Sequence, residues 1–308
     1  MSRLACLFPG QGSQVVGMGL DLHRNHETAR DLFARADGAL GFSLSRLCFE
    51  GPEEELKLTR NTQPALLVVS VIAYRLLGLE PVFVAGHSLG EYSALVAAGS
   101  LGFEDAVVLV HKRGRYMQEA VPVGAGAMAA LLGADRRDVL DGLARVRSGT
   151  VEVANWNSPE QTVIAGHKPA VEEAVGLIKA ARSVFLPVSA PFHTTLMIDA
   201  EKKLEADLEG VKFRDLKFPL VTNVDARVIR TGAEARDALK RQVSRPVQWL
   251  HSMERLREEG LTHFVETGPG RVLSGLLKRI GRGWPTAFTL LQVEDSASLE
   301  KTRQVLSA

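Results

Sequence analysis

A chain of 308 residues suffices for one large α/β domain or two smaller ones, and 45% hydrophobic against 24% charged residues describes a packed globule rather than a disordered chain. A net charge of +1, with Lys and Arg spread along the whole length, offers no basic footprint for nucleic acid. The longest apolar stretch, Ala65 to Ala73, is about half a membrane span, the run from Met1 to Phe8 is too short for a signal peptide, and Cys6 and Cys48 form neither a metal motif nor a disulfide framework. A cytoplasmic protein without membrane span or metal is expected, with both cysteines in the core.

Leu4 to Phe8 reads as a first buried strand, followed at once by the glycine-rich loop Pro9 to Gly19. A phosphate loop would need Gly-Lys-Ser/Thr where Gly17-Met18-Gly19 stands, and the dinucleotide fingerprint would need glycine in place of Val15. The loop is therefore expected to bring backbone N–H groups to some other ligand. Asp31 to Gly41 looks helical, and Pro52 to Glu55 reads as an acidic turn. Asn61-Thr62-Gln63-Pro64 then opens a helix from Ala65 to Leu77 that is apolar nearly all round, as one buried against a sheet should be.

The chain is organised around Val82 to Gly99, which reads as strand, sharp turn, helix. Val82 to Ala85 suits a buried strand, and Glu91 to Ala98 is rich in helix formers and stops at Gly99. Between them, Gly86-His87-Ser88-Leu89-Gly90 is a nucleophile-elbow pattern: the flanking glycines let strand and helix approach, and Ser88 occupies a strained apex. The helix N-terminus just beyond supplies positive potential where an oxyanion would form. His87 adjoins Ser88, but adjacent residues on a sharp turn diverge, so it reads as structural.

Glu104 to Ala120 continues as a helix on which Leu109, Arg113 and Met117 fall on one line. A guanidinium on such a stripe is either snorkelling or salt-bridged, or it awaits a substrate anion. From Gly124 the texture changes. Ala127–Leu132, 135–144, Val151–Asn155, Gln161–Ala165, 169–181 and 183–187 read as strand, helix, strand, strand, helix, strand, the βαββαβ order of a ferredoxin-like unit inserted into a larger domain. The expected division is a discontinuous core, 1–123 and 189–308, with 124–188 as subdomain and a pocket at their junction. The core resumes at Ser189, with His193 near the start of a helix reaching about Leu208. Phe218–Asn223, helices from Ala233 and Val247, strand Thr262–Glu266 with its Thr267-Gly268-Pro269-Gly270 loop, a helix from Val272 and a last strand 287–291 complete an α/β alternation with a mostly parallel sheet.

Seven motifs stand in one order: Pro9-Gly10-Gln11-Gly12-Ser13-Gln14, Gly86 to Tyr92, Lys112 to Gln118, Pro191-Phe192-His193, Asn223-Val224-Asp225-Ala226, Pro246-Val247-Gln248-Trp249 and Glu266 to Gly270. In this the chain, from about Leu4 to Leu291, resembles the malonyl-CoA:acyl carrier protein transacylases of the acyltransferase family of fatty-acid and polyketide synthesis. The resemblance implies an α/β-hydrolase-like core with a ferredoxin-like insert. It also implies a Ser88–His193 dyad, an oxyanion hole from the N–H groups of Gln11 and Leu89, Arg113 for the malonyl carboxylate, and Gln242 holding His193 through its main-chain carbonyl. Phe192, Gln63 and Asn157 are implied at the substrate; in related polyketide enzymes phenylalanine before the histidine goes with malonyl. Malonyl-CoA and acyl carrier protein are the implied partners of a monomer acting without cofactor.

The main rival is an α/β-hydrolase esterase or thioesterase with the same elbow and a triad of Ser88, Asp225 and His251 or His263. His263 falls inside an expected strand and His251 near a helix start, and Gln11 and Arg113 would have no role. A non-catalytic scaffold is disfavoured by the presence of nucleophile, base and anion clamp together. Service to a polyketide synthase fits the same residues.

Overall fold

The computed structural model describes residues 3–188 and 190–307. Its strands are β1 (Leu4–Phe8), β2 (Phe83–Gly86), β3 (Gly126–Leu132), β4 (Val151–Ser158), β5 (Gln161–His167), β6 (Arg182–Phe185), β7 (Leu220–Val221), β8 (Val228–Ile229), β9 (His263–Thr267) and β10 (Thr289–Val293). Six form a sheet in the order β10-β9-β1-β2-β7-β8, parallel except for β8. The other four form a separate antiparallel sheet, β4-β5-β3-β6.

Strand β1 explains why the large sheet is sandwiched. All five of its residues are buried, and their side chains alternate between two cores: Leu4, Cys6 and Phe8 on one face, Ala5 and Leu7 on the other. The first core takes helices Thr59–Leu77, Gly90–Ala97 and Phe103–Glu119; the second takes Trp249–Glu258 and Val272–Gly281. The small sheet divides its faces in the same way. Ala127, Ala129 and Leu131 pack on its own helices Arg136–Arg145 and Lys168–Leu177, while Met128 and Ala130 join the first core of the large sheet. Backbone bonds from Trp156 N–H to the Val247 carbonyl and from Val247 N–H to the Ala154 carbonyl, both 2.9 Å, tie β4 to the segment before Trp249.

Several boundaries differ from the sequence reading. The helix expected from Ala65 begins at Thr59, so Pro64 lies within it rather than in its opening turn. Proline there removes the donor for the Arg60 carbonyl, and the Nδ1–H of His111 donates to that carbonyl instead, at 2.9 Å. The acidic turn is the start of a short helix, Glu53–Lys57, and helices Leu20–Asn25, Leu44–Glu50 and Ser296–Ser307 add to the expected elements. His193 precedes a 3₁₀ turn, Thr195–Met197, and the helix proper is Ile198–Glu209. The strand expected over 218–223 contracts to β7, because Asn223 turns away to bond the elbow. The expected boundary at Ser189, and Met1, Ser2 and Ala308, lie outside the described residues.

Candidate active site

The elbow forms at the carboxyl end of β2 because nothing larger than hydrogen fits at its flanks. A Cβ on Gly86 would sit 2.0 Å from the Gly90 carbonyl carbon, and one on Gly90 would sit 2.0 Å from the Phe8 carbonyl oxygen. Between them Ser88 takes φ 51°, and His193 takes φ 61°; among the described residues only Ala226 shares this region without being glycine. Strain at the two residues that meet is held by distant groups. Ser88 N–H donates to Asn223 Oδ1 (2.5 Å), Asn223 Nδ2 donates to the Gly86 carbonyl (2.6 Å), and the Ser88 carbonyl accepts from Gln242 Nε2 (3.0 Å).

Ser88 Oγ lies 2.7 Å from His193 Nε2, and His193 Nδ1 lies 2.8 Å from the Gln242 carbonyl. A carbonyl only accepts, so Nδ1 carries the proton and Nε2 turns its lone pair to the serine hydroxyl. Burial, reinforced by the Arg113 charge, pulls the imidazole down to about 3, which keeps it neutral and able to accept. His87 is turned elsewhere: its Nε2–H donates to Asn157 Oδ1 at 2.8 Å, and its ring packs on Trp249.

Arg113 reaches the same hydroxyl from helix Phe103–Glu119. That helix can lie close to Thr59–Leu77 because Gly114 faces the Thr59 carbonyl, 2.5 Å from where a Cβ would be. The guanidinium, 1% exposed, donates from Nη1 to Gln63 Oε1 (2.8 Å) and from Nη2 to Gln242 Oε1 (2.9 Å) and Ser88 Oγ (3.1 Å). It lies over the Tyr92 ring, its Nε–H is buried without a partner, and among the described residues no carboxylate pairs with it. A buried cation bonded only to neutral groups and a hydroxyl is able to receive an anion.

Ser88, His193 and Arg113 border a cavity of about 110 Å³. Gln11, from the loop after β1, and Leu89, after Ser88, line it, and among the described residues their backbone N–H groups meet no protein acceptor. Gln63, Arg113, Met117, Phe192 and His193 also line it, with Met128, Asn155, Leu186 and Val188 from the side of the small sheet. The arrangement suits acyl transfer: a hydroxyl paired with a neutral imidazole, two free N–H donors beside it, and a cation where the acyl group would end.

A family model described as acyl transferase domain matches residues 6–287. The malonyl CoA-acyl carrier protein transacylase of Escherichia coli strain K12 is 49% identical over 288 residues, covering 91% of this chain and 93% of the relative. That of Bacillus subtilis strain 168 is 46% identical over 315 residues, covering 99% and 98%. Among solved structures, the malonyl CoA-acyl carrier protein transacylase of Coxiella burnetii superimposes with a TM-score of 0.96 at 38% identity, over 100% of this chain and 98% of that one. A malonyl-transacylase solved in complex with its type II polyketide synthase acyl carrier protein gives 0.95 at 43% identity, over 99% and 100%. The chain belongs to the acyl transferase family.

In this acyl transferase the structure brings together Ser88, His193, Gln11, Leu89, Arg113, Gln242, Phe192 and Gln63, but not Asn157. Expected at the substrate, Asn157 does not border the cavity; its side chain is engaged by His87 and by Gln161, and Asn155, two residues earlier on β4, lines the cavity instead. Gln242 does more than its main-chain bond to His193, since its side chain joins Arg113, Ser88 and Glu91. The rival triad is not assembled. Asp225 accepts two bonds from Arg241, His251 contacts Gln248 and Arg136, and His263 bonds Thr262. Glu91 and Asn223 stand in two of the seven motifs, but their type and spacing carry no signal of contacts made more than a hundred positions away. No helix of the described residues is long and apolar enough to cross a membrane.

Proposed function

We propose that this acyltransferase moves the malonyl group of malonyl-CoA to the phosphopantetheine thiol of acyl carrier protein through a malonyl ester on Ser88, supplying fatty-acid chain elongation. The observation that carries the reading is one hydroxyl shared by two groups of opposite purpose. Ser88 Oγ is 2.7 Å from a neutral imidazole and 3.1 Å from a buried guanidinium that pairs with no carboxylate among the described residues. In malonyl a single methylene separates thioester carbonyl from carboxylate, so a cation beside the nucleophile is placed for that short dicarboxylic acyl group.

In the first half-reaction His193 Nε2 takes the hydroxyl proton as Oγ attacks the thioester carbon. The tetrahedral oxygen accepts from Gln11 and Leu89 N–H, donors fixed in advance. Collapse breaks the carbon–sulfur bond, and the CoA thiolate leaves with the proton from His193. Arg113 meanwhile exchanges the Ser88 hydroxyl for the malonyl carboxylate, which its planar fork can hold with two parallel bonds. The carrier thiol then repeats the steps in reverse, giving its proton to His193 and expelling Ser88 Oγ, which recovers the proton. Phe192, 8% exposed, lines the cavity beside His193, where its ring would crowd a branched acyl group.

We read the large sheet and its helices, 1–123 and 189–308, as an α/β-hydrolase-like core and 124–188 as a ferredoxin-like insert. The βαββαβ order and the strand order β4-β5-β3-β6 support the second reading. Two free buried cysteines and a CoA thioester substrate suit a cytoplasmic location. Intact mass spectrometry tests the function. Brief incubation with malonyl-CoA should add one malonyl group that persists until acyl carrier protein removes it; rapid loss to water would make the protein a hydrolase.

A further inference from the structure

The Ser88 elbow holds a carboxylate for which the proposed chemistry has no use. Glu91 lies in the first turn of helix Gly90–Ala97, 1% exposed, three residues after the nucleophile. Its Oε2 accepts from Gln242 Nε2 at 2.7 Å and from the Asn223 N–H at 3.0 Å. We infer that Glu91 is a positioning residue that fixes the orientation of the Gln242 side-chain amide and thereby aims Arg113, setting the preference for acyl groups that carry a carboxylate. The inference rests on Arg113 being the clamp for that carboxylate.

The inventory of donors and acceptors determines which way the amide points. The NH₂ end of Gln242 meets two acceptors, the Glu91 carboxylate and the Ser88 carbonyl, and its Oε1 meets the Nη2 of Arg113, which can only donate. Turned over, the amide would set NH₂ against guanidinium and oxygen against two oxygens, spoiling all three contacts at once in a dry interior. Glu91 supplies the carboxyl of that set, accepting through Oε2 from the amide and from the Asn223 N–H. Without it, only the Ser88 carbonyl and the Nη2 of Arg113 would be left to oppose the flip. The Gln242 contact occupies the same Nη2 that reaches Ser88 Oγ, so the amide sets how far the guanidinium leans toward the nucleophile. A second arm runs through Asn223, whose side chain holds the Ser88 N–H and the Gly86 carbonyl. One buried carboxylate therefore ties nucleophile and clamp into one rigid frame.

A merely structural glutamate would, when replaced, depress malonyl and acetyl transfer alike. The test is the ratio of kcat/KM for malonyl-CoA to that for acetyl-CoA, measured on the full chain, with circular dichroism confirming each variant's fold. Glu91→Leu and Gln242→Met, the latter keeping the main-chain carbonyl for His193, should each reduce the ratio by about tenfold or more, and the double variant should lose no more than the worse single one. Glu91→Gln, whose Oε1 still accepts from both donors, should restore the ratio to within about threefold of wild type. A folded Glu91→Leu with the wild-type ratio, or losses that add in the double variant, would overturn the inference. Should Glu91→Leu not fold, Gln242→Met decides: an unchanged ratio there overturns it equally. Arg113→Ala separates the two failures. If it leaves the ratio intact, the clamp reading fails and takes the inference with it; if it collapses the ratio while folded Glu91→Leu does not, only the inference fails.

Discussion

Two strand–turn–helix junctions of the large sheet are built alike and end differently. After β9, as after β2, a glycine-rich turn leads into a helix, and each junction buries a glutamate, Glu266 in one and Glu91 in the other. Glu266 accepts from the N–H groups of Leu273 (3.0 Å) and Ser274 (2.7 Å), the opening residues of its own next helix. It caps the helix locally and needs nothing from elsewhere. The positive φ there falls on Gly268 and Gly270, which adopt it without steric strain. At the β2 junction the positive φ falls on a serine, and the glutamate is satisfied by Asn223 and Gln242, far along the chain. At the β2 junction both the strain and the buried carboxyl are held by distant partners, whereas the β9 junction meets its own locally.

The sharpest way to break this contrast is through the histidines on the two sides. Removing a general base costs roughly 10² to 10⁴ in rate, so His193→Ala should fall by that much, whereas His263→Ala on β9 should stay within about tenfold of wild type in kcat/KM for malonyl-CoA. The reverse order would move the chemistry to the β9 side. Arg113→Ala comes next. A charged hydrogen bond is worth about 1.5 to 3 kcal/mol, so malonyl transfer should drop roughly 10- to 100-fold, while acetyl transfer, relieved of an unpaired buried cation, should gain. Equal losses for both substrates, measured by steady-state kinetics, would make Arg113 part of the fold alone.

The glutamates sharpen the comparison through pH. Burial pushes Glu91 up to about 7 against the bonds from Gln242 and Asn223 that pull it down, and burial also raises Glu266. A carboxyl raised on folding contributes fully below its ordinary range, near 4.5, and loses that contribution as pH rises through the folded value. For Glu91 the window is about pH 4.5 to 7. Thermal melts of wild type and Glu91→Gln should therefore shift in the variant's favour across that window, by about 2 °C for each kcal/mol lost. A gap independent of pH would mean that Glu91 does not titrate there. The smallest effect belongs to Asp225→Asn, which breaks a pair with Arg241 that is about a third exposed. It should cost under about 1 kcal/mol and leave kcat/KM within about twofold, whereas a hydrolase triad would lose most of its activity.

Much of this was legible in the chain because it is local. The apolar run before Gly86 and the helix formers after Gly90 need only their neighbours, and the alternation along 126–185 marks strands and helices without any knowledge of the larger sheet. The misreadings have physical causes. Pro64 looked like a helix start because the group that compensates for it, His111, lies on another helix. Asn155 and Asn157 are two residues apart on one strand, and only the packing of the small sheet decides which one borders the cavity. The bonds of Glu91 and Asn223 span 132 and 135 positions, so nothing near either residue announces them. The final helix, Ser296–Ser307, buries only Leu299 and Thr302 and leaves a faint apolar stripe.

The strained serine of the β2 junction, and no other residue, is expected to carry the acyl group. Proteolysis of the protein after brief loading with malonyl-CoA, followed by mass mapping, tests it most directly. One malonyl group is expected on the peptide that holds Ser88, and none anywhere in Ser88→Ala. A malonyl group retained by Ser88→Ala, or mapped to a different peptide in the wild type, would contradict it.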